Sequence, residues 1–442
     1  MPITAREASL KAISAFRRTK KRTDETLSNF ASNMSGLDAA LAYRITCGVI
    51  QNMALCDFYI SQFSSLSKSK LQPHVGDILR LSVYQIVFLD KIPYSAIVNE
   101  AVALTVKYSN RRAAGFVNAV LRRIAEAATE GKLPNVSGKP IQRLSVRYSH
   151  PEFLVKEFIE LLGVEGAEKL LAVNNVPDTP ITAQINTTRA GTDETIAILE
   201  ADGISASHHS FLSDCIQLQG AGDITRLNAF KKGYFYIQDT AARLAVIAAS
   251  PEKGGLIIDG CAAPGGKSFA SAIMMDDCGQ IKAFDRSQNR LTRVSSGAQR
   301  LGLGIIDAVI QDAEQPSQDL ISRADTVLAD VPCSGYGVIR RKPEIRYKDE
   351  NETALLPAIQ RSILKGLSKY VKSGGVLLYS TCTLLKRENE DVALWFLDEN
   401  REFAFDDFSL PGGLRSENGM LTLWPHIHGT DGFFICKLRK KL

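Results

Sequence analysis

The sequence predicts a multidomain chain: an all-α helical bundle, then a small α+β module, then an α/β domain built on a parallel sheet. Three observations carry this prediction. Residues 1–130 show helical periodicity and no strand signal of any length. The stretch "EGKLPNVSGKP", 130–140, is rich in Gly, Pro, Lys and Ser and reads as a linker. From about residue 230, short apolar runs, Gly-rich turns and helical stretches alternate, the rhythm of a sheet wound with helices on both faces. The boundaries expected are 1–130, 140–228 and 229–442.

In "SAIVNEAVALTVKYSN" the apolar residues Ile97, Ala101, Leu104 and Tyr108 share one helical face, and Ser95, just after Pro93, is placed to cap it. "AAGFVNAVLRRIAEA" turns Phe116, Val120 and Ile124 inward and leaves Arg122 and Arg123 on its polar side. In the middle module, "HPEFLVKEFIELLG" is a helix, "ITAQIN" and "CIQLQ" are strands, and "TDETIAILEADG" is a helix with an acidic first turn and Gly203 at its end. In the last domain the strands are "GLIIDG", "QIKAFD", "IIDAVIQD", "TVLADV" and "GVLLYS". Ligands of such sheets bind outside the carboxyl ends of the strands. Those ends carry Asp259, Asp285, Asp312, Asp330 and Ser380, so a binding site is expected there.

Composition narrows the class. A chain of 442 residues with 45% hydrophobic and 23% charged residues is ordinary for globular domains. No apolar run reaches the length of a membrane span, and "MPITAREASLKAISAFRR" lacks the apolar core of a signal peptide, so a cytoplasmic protein with no membrane partner is expected. The eight cysteines form no C-x-x-C pair and the six histidines no H-x-x-x-H pattern, so no metal is expected. Residues 1–130 hold 17 Lys+Arg against 10 Asp+Glu, which concentrates the net charge of +5 there and points to an anionic partner.

"LIIDGCAAPGGKS" ends like a phosphate loop, in Gly266, Lys267 and Ser268, but residue 261 is Cys where that loop needs Gly. Pro264 also removes a backbone N–H from any anion cradle. The dinucleotide fingerprint fails for want of its second Gly. What remains is a tight turn, with Asp285 ending the next strand and placed to accept from ribose hydroxyls, and Asp312 placed to accept from an adenine amino group. S-adenosylmethionine fits that set; a nucleoside triphosphate does not.

Two thiols come next. Cys333 stands three residues after Asp330, and Cys382 ends the next strand. If those strands are neighbours, two thiols, an acid and the nucleoside site share one rim. A thiolate adding to C6 of cytosine turns the sluggish C5 into an enamine carbon able to attack a sulfonium methyl. An unperturbed thiol needs help to ionise, for which Lys386 and Arg387 lie near in sequence. Asp330 is placed to act as an acid at N3, and the second thiol, or a base it organises, to help remove the C5 proton.

"DGCAAPGGK", "ADVPCSGYGVIRRKPEIRY" and "YSTCTLLKRENE" together resemble the motifs of RNA (cytosine-5)-methyltransferases, and "GYFYIQDTAARLA" resembles that family's entry to its catalytic domain. "NEAVALTVKY" and "GFVNAVLRRI" resemble the NusB-like RNA-binding domain, and the combination resembles the RsmB/Sun group, over nearly the whole chain. The resemblance implies a Rossmann-like domain that uses S-adenosyl-L-methionine and methylates C5 of a cytosine in small-subunit (16S) ribosomal RNA, the usual target being cytosine 967. It implies a cofactor pocket formed by Cys261, Ala262, Ala263, Pro264, Gly265, Gly266 and Lys267, with Asp285, Arg290, Asp312 and Asp330. Cys382 resembles the family's nucleophile and Cys333 its release cysteine. Gly260 and Val331 stand where the family usually has Ala, Tyr336 where Thr is common, Lys342 where His is common, and Thr383 where Ser is common. None of these removes a reacting group.

RNA contacts are expected from Arg340, Arg341, Lys342 and Arg346, interleaved with Tyr336 and Tyr347 for stacking, and from Arg122 and Arg123. The target base is expected to be unpaired or flipped out, on ribosomal RNA or a small-subunit precursor, with the protein working as a monomer. The alternatives are a non-catalytic RNA-binding assembly factor, a transfer RNA cytosine-5 methyltransferase and, more distantly, an NTPase.

Overall fold

The computed structural model describes residues 3–19, 23–31, 34–177 and 179–442. The chain divides into two compact units, one of Met1–Pro177 with Ile339–Asp349, the other of Asp178–Val338 with Glu350–Leu442.

The first unit is helical: α1 (Ala5–Thr19), α2 (Thr23–Ala31), α3 (Gly36–Gln51), α4 (Met53–Phe63), α5 (Pro73–Phe88), α6 (Tyr94–Tyr108), α7 (Arg111–Thr129), α8 (Pro140–Tyr148) and α9 (Glu152–Val173). Ile45, Val49, Ile78, Ile97, Val117, Leu121 and Ile124 form its core, while Phe116 is only partly buried. Side chains start two of the helices: Ser35 caps the N-terminus of α3 and Asn110 that of α7, each accepting from a backbone N–H group. Helix α6 differs from expectation. Pro93, not Ser95, is its N-cap residue, and no side chain caps it. The Gly163 φ of 69° kinks α9.

Helices α8 and α9 fall in this unit, so the 130–140 linker does not mark a boundary between units. The physical reason is local. Ser149, in the left-handed region after α8, accepts through Oγ from the Ala54 and Leu55 N–H groups at the start of α4.

The segment Ile339–Asp349 is held in the same unit by Arg346, which is fully buried. Its Nη1 donates to the carbonyls of Gln51 (3.0 Å), Tyr148 (3.1 Å) and Ser149 (3.3 Å) and to Asn175 Oδ1 (2.8 Å). Nη2 reaches Asn174 O and Nε reaches Pro343 O. Three helix C-termini, those of α3, α8 and α9, thus aim carbonyls with no intrahelical partner at one cation. Burial lowers the Arg346 pKa to about 10. This corrects its expected role: Arg346 is a structural rivet, with no surface to offer RNA. Nor does Tyr347 offer a ring for stacking on a base, since its hydroxyl donates to Ile50 O (2.9 Å) and its ring packs on Phe16.

The second unit carries two main sheets. The first contains β1 (Ile181–Ile185), β2 (Ser205–His208), β3 (Cys215–Gln219) and β4 (Phe235–Ile237) in the antiparallel order β2-β3-β1-β4, with α10 (Thr192–Ala201) and α11 (Asn228–Lys231). The second contains β5 (Leu256–Asp259), β6 (Gln280–Asp285), β7 (Ile306–Ile310), β8 (Ala324–Asp330), β9 (Val371–Thr381), β10 (Phe403–Phe405), β13 (Met420–Leu423) and β14 (Phe433–Lys440), while β11 (Ser409–Leu410) and β12 (Leu414–Arg415) form a separate ribbon. Its order is β10-β14-β9-β8-β5-β6-β7, parallel from β9 to β7, with β14 antiparallel to β9. Helices α12 (Thr240–Ala249), α13 (Gly266–Met274), α14 (Gln288–Leu301), α15 (Glu350–Ala354), α16 (Leu356–Ser368) and α17 (Glu390–Glu399) belong to the same unit.

Neighbouring strand residues alternate between two cores. Ile257, Leu328 and Leu378 face one, Ile258, Val327 and Leu377 the other, as period-two side chains must when both faces are covered. Tyr336 is fully buried, so it too is unavailable for stacking on RNA. Among the described residues no helix is long and apolar enough to cross a membrane, and no group of His, Cys, Asp or Glu could hold a metal ion.

Candidate active site

Strands β8 and β9 are adjacent, with Asp330 paired to Ser380 in register. Each chain turns away from the sheet just past this pair, and the two turns carry Cys333 and Cys382. Their Sγ atoms stand 3.1 Å apart, both in the reduced state. The Cys333 pKa is raised well above the ordinary thiol value, first by its hydrogen bond with Cys382, then by burial and by the charges of Cys382, Glu388 and Asp330. Two thiols in contact share one favourable ionisation.

A cleft of about 450 Å3 opens beside the thiols, lined by Gly260, Cys261, Ala263, Asp285, Arg290, Asp312, Asp330, Cys333, Ile363 and Cys382 among others. The first turn, after β5, builds one wall. Gly265, with φ of 114°, starts α13, and a Cβ there would stand 2.3 Å from the Phe269 ring. Gly260 has a comparable reason: a Cβ would meet Leu367 Cδ1 at 2.3 Å, which accounts for Gly at this position. Burial pushes the Cys261 thiol up to about 12, so it stays neutral beside the carboxylates.

Asp285 is buried at the end of β6, accepts from the Ser287 N–H (3.0 Å) and pairs with Arg290 Nη1 (3.3 Å). Arg290 also donates to Ala263 O (3.0 Å), tying the first turn to the second strand. Asp312 accepts from the Glu314 N–H (3.0 Å). Asp330 accepts at both oxygens, from Lys267 Nζ on Oδ2 (2.6 Å) and from the Ser380 hydroxyl on Oδ1 (3.0 Å). Asp330, expected from the sequence as an acid, is thus paired with Lys267 at the edge of the cleft. Lys386, expected near Cys382 as an ionising cation, is exposed to solvent.

The donor set tests the expected ligand. Three carboxylates line the cleft, and its arginines are engaged, Arg290 with Asp285 and Arg286 with Glu314 (3.7 Å). A ribose diol, an amino group and a sulfonium are suited to these acceptors. A polyphosphate would meet like charge. Ala262, Pro264, Gly265, Gly266 and Lys267 form the turn and the helix start behind this wall. Arg122, Arg123 and Lys342 are exposed, and Arg340 and Arg341 partly so; all five belong to the helical unit. A second cavity, about 200 Å3, lies in that unit, but its Arg17, Lys68 and Arg80 are paired with Asp57 and Asp77.

Gln360 and Glu388, which sequence reasoning did not single out, hydrogen-bond to the backbone on either side of Cys333. Ser380 was legible as a strand end, though not as a partner of Asp330.

The chain is similar to known proteins along nearly its whole length. The profile of the family described as 16S rRNA methyltransferase RsmB/F matches residues 246–439. The NusB family profile matches 3–126, and a ferredoxin-like domain of RsmF/B-like methyltransferases matches 150–225. A Bacillus subtilis protein named probable ribosomal RNA small subunit methyltransferase B is 36% identical over 420 residues, which cover 93% of this chain and 92% of that one. A Synechocystis protein of the same name is 33% identical, covering 99% and 100%. The solved structure of PH0851 matches with a TM-score of 0.81 at 27% identity, covering 99% of this chain and 98% of that one.

Proposed function

Because the chain belongs to the RsmB/F family of 16S ribosomal RNA methyltransferases, we propose that it methylates C5 of a cytosine in small-subunit ribosomal RNA, cytosine 967 being the expected target, through an adduct between Cys382 and C6. The observation that carries this reading is the pair of thiols, Cys333 and Cys382, in contact at the rim of an acidic cleft.

S-adenosylmethionine, when bound, supplies a methyl group on a positively charged sulfur. Its adenosine falls to the wall formed by Cys261, Ala263, Asp285 and Asp312, and its methionine end to Asp330. Cys382, as its thiolate, is the attacking group, with the Cys333 Sγ 3.1 Å away. The Cys382 Sγ forms a bond to C6, and the electron pair of the C5–C6 double bond moves toward N3. The Lys267–Asp330 pair stabilises charge developing there and supplies a hydrogen bond to the ring. Once C5 has taken the methyl group, with S-adenosylhomocysteine as the co-product, its proton leaves to water at the Cys333 side of the cleft, the double bond re-forms and Cys382 departs as the thiolate. A base buried in a helix stack cannot enter the cleft, so the substrate cytosine is unpaired or flipped. Arg122, Arg123, Arg340, Arg341 and Lys342 supply phosphate contacts.

The test uses the Cys333→Ala variant with S-adenosylmethionine and small-subunit ribosomal RNA. A covalent protein–RNA band is expected on a denaturing gel, and is expected to vanish when Cys382 is also replaced. Robust methyl transfer by the unaltered protein with no band from the variant would overturn the assignment of the two thiols.

A further inference from the structure

Behind the two thiols lies a buried polar cluster that the chemistry above leaves unused. Glu388 is fully buried on the short turn after β9. Its Oε2 accepts from the Ser334 N–H (2.9 Å) and from Gln360 Nε2 (2.9 Å), both neutral amides. The same Gln360 nitrogen donates to Pro332 O (3.0 Å). Both residues flanking Cys333 are therefore tied to one side-chain pair. The Ser334 and Thr383 hydroxyls meet at 2.7 Å, joining the residues just after the two thiols. The Tyr379 hydroxyl donates to Glu388 O, fixing the turn that carries Glu388 to β9.

The two thiols are held in different ways. Cys382 directly succeeds a strand paired on both sides, with β8 and with β14. Cys333 lies beyond the last ladder contact, Val331 N–H to Ser380 O (3.2 Å), on a turn whose flanks are held by Gln360 and Glu388. Removing Glu388 therefore loosens Cys333 and leaves Cys382 in place. A buried carboxylate with neutral partners is costly, and positioning gives this one a use.

We propose that Glu388, acting with Gln360, is a positioning residue that sets the Cys333 thiol against Cys382, and so governs release of methylated RNA rather than attack on it. This rests on the proposed roles of the two thiols. The experiment compares Glu388→Ala, Glu388→Gln and Cys333→Ala in full-length protein with S-adenosylmethionine and small-subunit ribosomal RNA. It measures first-turnover methyl transfer, steady-state turnover and covalent RNA on a denaturing gel. Glu388→Ala is expected to keep first-turnover transfer within about threefold, lose about a hundredfold in steady-state turnover and accumulate covalent RNA, the scale set by an ångström of misplacement. Glu388→Gln, whose amide oxygen still accepts from Ser334, is expected to recover most of the release. Should Glu388→Ala unfold, Gln360→Ala, which cuts the tie to Pro332 O, is expected to show the same pattern. Trapping by Cys333→Ala but by neither the Glu388 nor the Gln360 variant would overturn this proposal alone. No trapping by Cys333→Ala would overturn the roles of the thiols and this proposal with them.

Discussion

Lys267 Nζ donates to Asp330 Oδ2 at 2.6 Å, joining the first turn of α13 to the end of β8 at the edge of the cleft. Lys267 is 8% exposed, and its ammonium stands 5.0 Å from the centre of the Phe433 ring. The pair places a cation against an acid that would otherwise add to the negative charge of Asp285 and Asp312.

Lys267→Met is expected to lower kcat by roughly 10²–10⁴-fold, the usual worth of a positioned proton-carrying group. The loss of stability is expected to be about 1–2 kcal/mol, at the low end for a broken pair because Asp330 is partly exposed. Steady-state kinetics alongside urea unfolding separate the two effects. Equal activity in the variant would remove the pair from the mechanism.

Asp259 sets a pH dependence of stability. Burial pushes its carboxyl up to about 6, opposed by the Ser268 hydroxyl, which donates to Oδ2 (2.7 Å), and by Lys267. The folded state holds this proton more tightly than the unfolded chain does. Its stabilising contribution is thus full below about pH 4 and lost as pH rises through about 6. Asp259→Asn keeps an acceptor for Ser268 and cannot ionise. It is expected to match the unaltered protein near pH 4 and to exceed it by up to about 3 kcal/mol at pH 7.5. Urea midpoints at the two pH values check this; a gap that does not grow with pH would refute it.

Arg346 and the pair Arg122 and Arg123 are expected to fail in opposite ways. Arg346→Met strands the helix-end carbonyls of Gln51, Tyr148 and Asn174, at about 3–5 kcal/mol. Arg346→Lys, with one compact ammonium for a planar fork, is expected to recover little of it. Neither variant should alter the salt dependence of RNA binding by the folded protein. Replacing the exposed Arg122 and Arg123 with Ala is expected to cost at most about 1 kcal/mol of stability, since Arg123 donates to Phe63 O at the end of α4, and to reduce that salt slope by about one to two. Thermal melts and binding titrations across salt concentrations read both.

Much of the fold was legible because its signals are local. The strands β5 to β9 announce themselves as short apolar runs closing on Asp or Ser, and the strand order that makes β8 and β9 neighbours is the one a doubly wound sheet favours. Strand β14 was missed, since an antiparallel return at the edge of a parallel sheet obeys no crossover rule. Arg346 was misjudged for a different reason. In "RRKPEIRYK" it looks like one more solvated cation, and only the helix ends gathered around it reveal otherwise. Glu388 hides likewise in "KRENE", a run that reads as surface charge.

By itself the sequence determined the layer architecture, the strand-end carboxylates, the two thiols and the turn that excludes a phosphate loop. These depend on periodicity, spacing and the conformations Gly and Pro allow, all properties of short segments. Only the tertiary structure decided that Cys333 and Cys382 touch, that Lys267 completes Asp330, and that Glu388 and Arg346 are buried. Those facts are contacts between residues 49, 63, 54 and 295 positions apart, taking in order the thiol pair, Lys267 with Asp330, Ser334 with Glu388, and Gln51 with Arg346. A charge is silent in sequence about whether it will meet water or a partner, and packing settles which.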